Sequence, residues 1–120
     1  MKTTCEAEVL AIAGGAVIRL SGDVDGHAAD MLTAAYDQAV AEGDPTSIVL
    51  DFAEVGYINS TGIALIVSVL AKARSQRRKM VASGLSEHYR EIFDITRLSD
   101  FIELFPDLDH AVSQLTGSAS

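Results

Sequence analysis

An α/β fold with a mixed sheet is what this 120-residue sequence predicts, and three observations carry the prediction. Two strand-like runs flank Gly14-Gly15 near the N-terminus. A short, almost continuously apolar run rich in β-branched residues, "SIVLDF", occupies 47–52. Helix-period and strand-like stretches then alternate to the end of the chain. The resulting order, β-β-α-β-α-β-α-β-α, gives a sheet of four to five strands that opens on a β-hairpin and carries about four helices. The later strands are joined by parallel crossovers.

In "EAEVLAIAGGAVIRLSG" the glycine pair tolerates the positive φ angles of a tight turn, so strands are expected near 6–13 and 16–21. Ala28, Met31, Leu32, Ala35, Tyr36, Ala39 and Val40 recur at the three-and-four spacing of one helix face, and Gly43 with Pro45 stops that helix. "SIVLDF" reads as a central strand covered on both faces. Ile63, Ile66, Val67 and Leu70 mark a second helix, and Leu65 and Val69 widen its stripe until a mostly buried helix is expected. "KMVAS" gives a brief strand, "SEHYREIFD" a helix opened by Ser86, and "FIELF" a last strand. Pro106 and Asp107 begin a final helix whose core face is Leu108, Ala111, Val112 and Leu115. One domain over 1–116 is expected, with 117–120 a flexible tail.

The formal charge of −8 and a pI near 4.6 argue against a surface for phosphate backbones or anionic lipid, so neither direct nucleic-acid binding nor membrane insertion is expected. The cations are nonetheless clustered: Lys72, Arg74, Arg77, Arg78 and Lys79 gather near the end of the second helix. They complement the negative end of its dipole, or form a docking patch for an acidic partner. A lone Cys5 cannot close an internal disulfide and fits a reducing compartment. No apolar run reaches the roughly 20 residues that span a bilayer, and a cytoplasmic protein is expected.

A search for chemistry returns little. His27, His88 and His110 fall on different elements without metal-ligand spacing. "DVDG" at 23–26 lacks the glycine and terminal acid of a calcium loop. No GxxxxGK[ST] or GxGxxG loop offers a phosphate cradle, and "INSTG" is not the GxSxG elbow of a hydrolase. Asp51, near the end of the central strand, has the place of a receiver-domain phosphoacceptor, but the acidic pair and lysine that such a site needs are missing. No catalytic residue, metal or cofactor is expected, and the chain reads as a non-enzyme.

What remains is the polar cluster Asn59-Ser60-Thr61-Gly62 at the head of the second helix. Asn, Ser and Thr all cap orphan N–H groups, and capping alone accounts for the composition. A second reading makes Ser60 a modification site, since a phosphate there would sit at the positive end of the helix and change the surface more than the fold.

"SIVLDFAEVGYINSTGIALIVSVLAKA" resembles the core signature of the STAS domain, in particular that of bacterial anti-sigma factor antagonists, whose helix begins Asp-Ser-Ser/Thr-Gly. "IRLSGDVDGHAADML" and "LSEHYREIFDITRL" resemble flanking segments of the same family, and the resemblance covers nearly the whole chain. It implies a STAS fold and a partner-switching role. Unphosphorylated, such an antagonist sequesters an anti-sigma factor that is also a serine kinase, freeing a sigma factor for transcription; phosphorylated, it lets go, until a phosphoserine phosphatase resets it. By position, the resemblance makes Ser60 the phosphoacceptor, and Asp25, Asn59, Ser60, Thr61 and Gly62 the partner-binding residues. Asn59 stands where the family usually has Asp, which keeps the cap but removes a charge beside Ser60. The competing expectation is a STAS scaffold subunit, never phosphorylated, of a signalling assembly or membrane transport complex.

Overall fold

The computed structural model of the protein describes residues 5–115. Strand β1 (Glu6–Ile12) turns into β2 (Gly15–Val24), and after a 3-10 turn at Gly26–Ala28 come α1 (Ala29–Gly43), β3 (Ser47–Ile58), α2 (Ser60–Ser75), β4 (Lys79–Ser83) and α3 (Glu87–Ile95). A second 3-10 turn, Leu98–Asp100, leads to β5 (Glu103–Phe105) and α4 (Leu108–Leu115). The sheet order is β1-β2-β3-β4-β5, so β3 is central as its composition predicts. The hairpin is antiparallel and every later pairing is parallel, each parallel step being bridged by a helix.

Alternation across the pleat sorts the strand residues into two cores. The register row Ile18–Leu50–Ala82 faces the larger one, where it meets Leu32 and Tyr36 of α1, Ile66 and Leu70 of α2 and Phe93 of α3. The next row, Val17–Val49–Val81, lies on the opposite face and is closed by Ala111 of α4, with Leu108, Val112 and Leu115 packed around it. Two residues further along that face the row turns polar, to Arg19–Asp51–Ser83. Asp51 is 3% exposed. It accepts hydrogen bonds from Ser83 Oγ at 3.0 Å and the Ala53 N–H at 3.3 Å, while Arg19 Nε lies 3.6 Å from its other oxygen. A buried carboxylate held in this way is satisfied by the sheet itself.

The structure corrects several expected boundaries. β2 reaches Val24 rather than residue 21, and β3 runs to Ile58 rather than 52. The two strands stay paired through register shifts near Ser21 and Asp23, which lets both continue past the apolar runs that mark them in sequence. "FIELF" is strand only from Glu103; Phe101 precedes it in a turn and is 56% exposed. Met31, assigned to the core face of α1, is exposed, and Ala28 belongs to the 3-10 turn. Helix α2 is not mostly buried. Ile66, Val69, Leu70 and Ala73 face the core, while Ala64, Val67, Ser68 and Ala71 face solvent. Periodicity could not separate these faces because both are apolar. The expected tail, 117–120, lies outside the described residues.

Helix α2 ends in a Schellman motif. The Arg78 N–H donates to Ala73 O at 2.8 Å and the Arg77 N–H to Arg74 O at 3.0 Å. The residue between the helix and β4 that must turn left-handed is Arg77, at φ 61°, a position that ordinarily falls to glycine. The left-handed conformation costs a non-glycine residue about 1–2 kcal/mol, more than the roughly 0.3–1 kcal/mol that an exposed cation gains from the helix dipole. Arg77→Gly is therefore expected to leave stability unchanged or raise it by up to about 1 kcal/mol in urea unfolding. A loss larger than that would show that the arginine side chain supports the fold.

Candidate functional site

Only Asn59 separates the end of β3 from the start of α2, and its conformation is that of an N-cap, φ −95° and ψ −178°. Its side-chain oxygen accepts from the Gly62 N–H at 2.8 Å, and its carbonyl accepts the first helical bond, from Ile63 N, at 2.9 Å. Its own N–H donates to Val24 O at 3.2 Å, tying the turn to the end of β2. Gly62 completes this contact. It is buried, and a β-carbon there would overlap the Val24 carbonyl oxygen and lie 2.8 Å from the carbonyl carbon. The first turn of α2 can thus approach β2 only because position 62 has no side chain.

The turn is held on two further sides. On one, the Ile58 N–H donates to the Tyr89 hydroxyl of α3 at 2.9 Å, fixing the residue just before the cap. On the other, the Thr61 methyl lies 3.4 Å from where a β-carbon on Gly26 would stand, so the Gly26–Ala28 turn packs against α2. Asp25 begins that turn and caps it, its carboxylate accepting from the His27 N–H at 2.9 Å. Asp25 and Asp23 also bear on Cys5: burial first, then the charges of Asp25, Asp23 and Glu6, push its thiol pKa up.

Asn59, Ser60, Thr61 and Gly62 are therefore gathered into one helical turn, and Asp25 heads the neighbouring turn packed against it. Ser60 and Thr61 are exposed. Their N–H groups occupy the first two helical positions, where no intrahelical acceptor exists, and no other acceptor meets them among the described residues. From Ser60 an exposed stripe of small or apolar residues, Ala64, Val67 and Ala71, runs down α2. Beside Ser60, a groove of about 280 Å³ is lined by Ile58, Ile63, Ile92 and Thr96. The three histidines are exposed on separate elements, and no group of three metal-ligating side chains occurs among the described residues.

Sequence reasoning missed the Tyr89 tether and the role of Val24, because both depend on elements distant in the chain. The exposed stripe had a signal: positions 60, 64, 67 and 71 share one helical face.

Residues 6–111 match the STAS domain family. The chain belongs to that family. Over 88 residues this STAS domain is 34% identical to the anti-sigma-B factor antagonist of Listeria monocytogenes serovar 1/2a, an alignment covering 72% of this chain and 75% of that protein. Its fold matches the crystal structure of an anti-sigma factor antagonist from Mycobacterium paratuberculosis with a TM-score of 0.79 at 23% identity, covering 93% and 94% of the two chains. The Bacillus protein SpoIIAA matches with a TM-score of 0.70 in both its unphosphorylated and its phosphorylated form, at 21% and 20% identity, covering 92% and 91% of this STAS domain and 98% of each SpoIIAA chain. No helix among the described residues of this STAS domain is long and apolar enough to cross a membrane.

The geometry sets two expectations. Gly62→Ala forces α2 away from Val24 and is expected to cost about 1–3 kcal/mol in urea unfolding; an unchanged midpoint would mean the contact is not tight in solution. Asn59→Ala removes the cap and is expected to cost about 1 kcal/mol, whereas Asn59→Asp keeps it and is expected to match or slightly exceed the parent. Equal stability of all three proteins would place the Gly62 N–H on water instead of Asn59.

Proposed function

We propose that this STAS domain is an anti-sigma factor antagonist whose binding is switched by phosphorylation of Ser60. The observation that carries the reading is Ser60 itself: an exposed hydroxyl at the first position of α2, beside two helix N–H groups that meet no acceptor among the described residues. A phosphate on its Oγ would have those donors and the positive end of the helix dipole within reach, so the fold can carry the modification. In the reaction, Ser60 Oγ would bond to the γ-phosphorus of ATP as the bond to the β-phosphate oxygen breaks. ADP would leave, and the hydroxyl proton would pass to a base of the kinase.

The partner we infer is an anti-sigma factor with serine kinase activity, which the unphosphorylated surface would hold. That surface combines a neutral hydroxyl, the Ala64–Val67–Ala71 stripe and the groove beside Ser60. Asp25, Asn59, Thr61 and Gly62 would shape the contact. Adding a charge of about −1.5 to −2 to a chain that already carries −8 would repel an acidic partner surface and carry a desolvation cost against an apolar one, and a phosphoserine phosphatase would restore binding. The names of the relatives support this reading, and SpoIIAA, known in both forms, supports the idea that the fold survives the modification. One observation favours a second reading: Asn59 caps α2 without the charge of the acid usual there, which suits a STAS scaffold that is never phosphorylated.

Two measurements decide. Incubation with the cognate kinase and Mg·ATP, followed by mass spectrometry, is expected to place one phosphate on Ser60; none there would support the scaffold. Ser60→Ala is expected to retain kinase binding and Ser60→Asp to weaken it about tenfold or more. Equal affinities would remove charge repulsion as the switch.

A further inference from the structure

Strand β1 is an edge of the sheet, and its outer side is open. Its seven residues pair with β2 in unbroken register, from Glu6↔Ser21 to Ile12↔Gly15. In an antiparallel ladder, pairs that exchange hydrogen bonds alternate with pairs that do not, and the pair flanking a two-residue turn exchanges them. Ile12, Leu10, Glu8 and Glu6 therefore bond to β2, and the N–H and C=O groups of Ala7, Val9 and Ala11 point away from it. No backbone bond from another element reaches these three residues among the described residues. Native sheets guard an edge by shortness, proline, lysine or a bulge. The opposite edge, β5, is only three residues long, whereas β1 has none of these devices.

The side chains of the edge are sorted by the pleat. Ala7 and Val9 pack toward the larger core, while Leu10 and Ile12 lie half-buried on the α4 side, the side that Glu6 and Glu8 share. Beside the two exposed glutamates a groove of about 400 Å³ is lined by Glu6, Ala7, Glu8, Arg19, Ser21 and Glu54. The guanidinium in that lining is already held, 3.6 Å from the buried Asp51 and 3.9 Å from Glu8. Glu6 and Glu54 form no ion pair among the described residues. The edge thus presents negative charge along its first half and aliphatic surface along its second. A second copy of this chain matches neither half: it brings a further −8, and its own β1 has no lysine or arginine to set against the glutamates.

We propose that the outer edge of β1 binds an extended segment of a partner protein as a sixth, antiparallel strand. At alternate positions that segment carries two aliphatic residues, opposite Ile12 and Leu10, and then two basic residues, opposite Glu8 and Glu6. The outward N–H and C=O groups of Ala7, Val9 and Ala11 supply the main-chain bonds, and the alternate side chains supply the selection. Helix α2 and Ser60 lie over the other face of the sheet, so this edge is not part of the switch surface.

Fluorescence anisotropy of the full chain tests this with a labelled peptide that matches β1 in length, Val-Thr-Val-Thr-Lys-Thr-Lys. Saturable binding is expected, weakened by salt and about fivefold by Glu6→Lys, which reverses an exposed charge without touching the core. Ala11→Pro removes an outward N–H at an exposed position and is expected to weaken binding about tenfold. Circular dichroism checks its fold, and Glu6→Lys carries the test alone if that variant unfolds. Hydrogen exchange is expected to slow at the Ala7, Val9 and Ala11 amides when the peptide binds. No saturable binding, equal binding of a peptide with glutamate for lysine, full binding by Glu6→Lys, or unchanged exchange at those three amides would each overturn the proposal. Tighter binding of the reversed peptide, Lys-Thr-Lys-Thr-Val-Thr-Val, would overturn the antiparallel direction. A dimer in sedimentation that Ala11→Pro abolishes would put a second copy on the edge instead.

Discussion

The contact between the first turn of α2 and the end of β2 is the constraint on which the site depends. Val24 O receives the Asn59 N–H, and Gly62 lies against the same carbonyl with no room for a β-carbon. That approach places the helix start over the carboxyl edge of the sheet and leaves Ser60 outside, at the first helical position. It also explains why β2 and β3 extend beyond their apolar runs. Only strands that reach Val24 and Ile58 bring the carbonyl and the Tyr89 tether to the turn.

Behind this edge the sheet gives the helices unequal support. Three of them cover one face, with large side chains such as Tyr36 and Phe93 fully buried, while α4 alone closes the valine row on the other. Where α4 ends its cover, Asp51 replaces a hydrophobic residue and is matched by Ser83 and Arg19 from the neighbouring strands. A buried acid in this position favours one register, because a slip would strand its charge without partners. Asp51 is therefore accounted for by the sheet, without any phosphoacceptor chemistry.

Helix α2 is thus a rod with different chemistry at each end. Its start shows neutral hydroxyls and N–H groups that meet no acceptor among the described residues; its end shows arginines in a chain that is otherwise strongly acidic. Between them runs a small, apolar exposed stripe. The cations at its end complement the helix dipole, whereas its first turn carries no acid, and the dipole does not account for every residue at either end. Ser60 exceeds what a cap requires when Asn59 already supplies it, and Arg77 sits where glycine would fit better.

Much of the fold was legible in the sequence, because burial imposes periodicity. The "SIVLDF" run marked the central strand, the alternation of elements gave the mixed sheet, and Asn59 with Gly62 marked the helix start. Residues 59–62 are contiguous, so local capping chemistry was enough to mark them as a helix start. The tertiary structure decided what depends on neighbours distant in the chain: the extra length of β2 and β3, the exposed face of α2, the Tyr89 tether and the packing of Gly26 on Thr61. Periodicity reports that a residue is apolar, not whether another element covers it. Val67 and Ile66 are equally apolar neighbours, and only the sheet beneath α2 decides that Ile66 is buried and Val67 meets solvent.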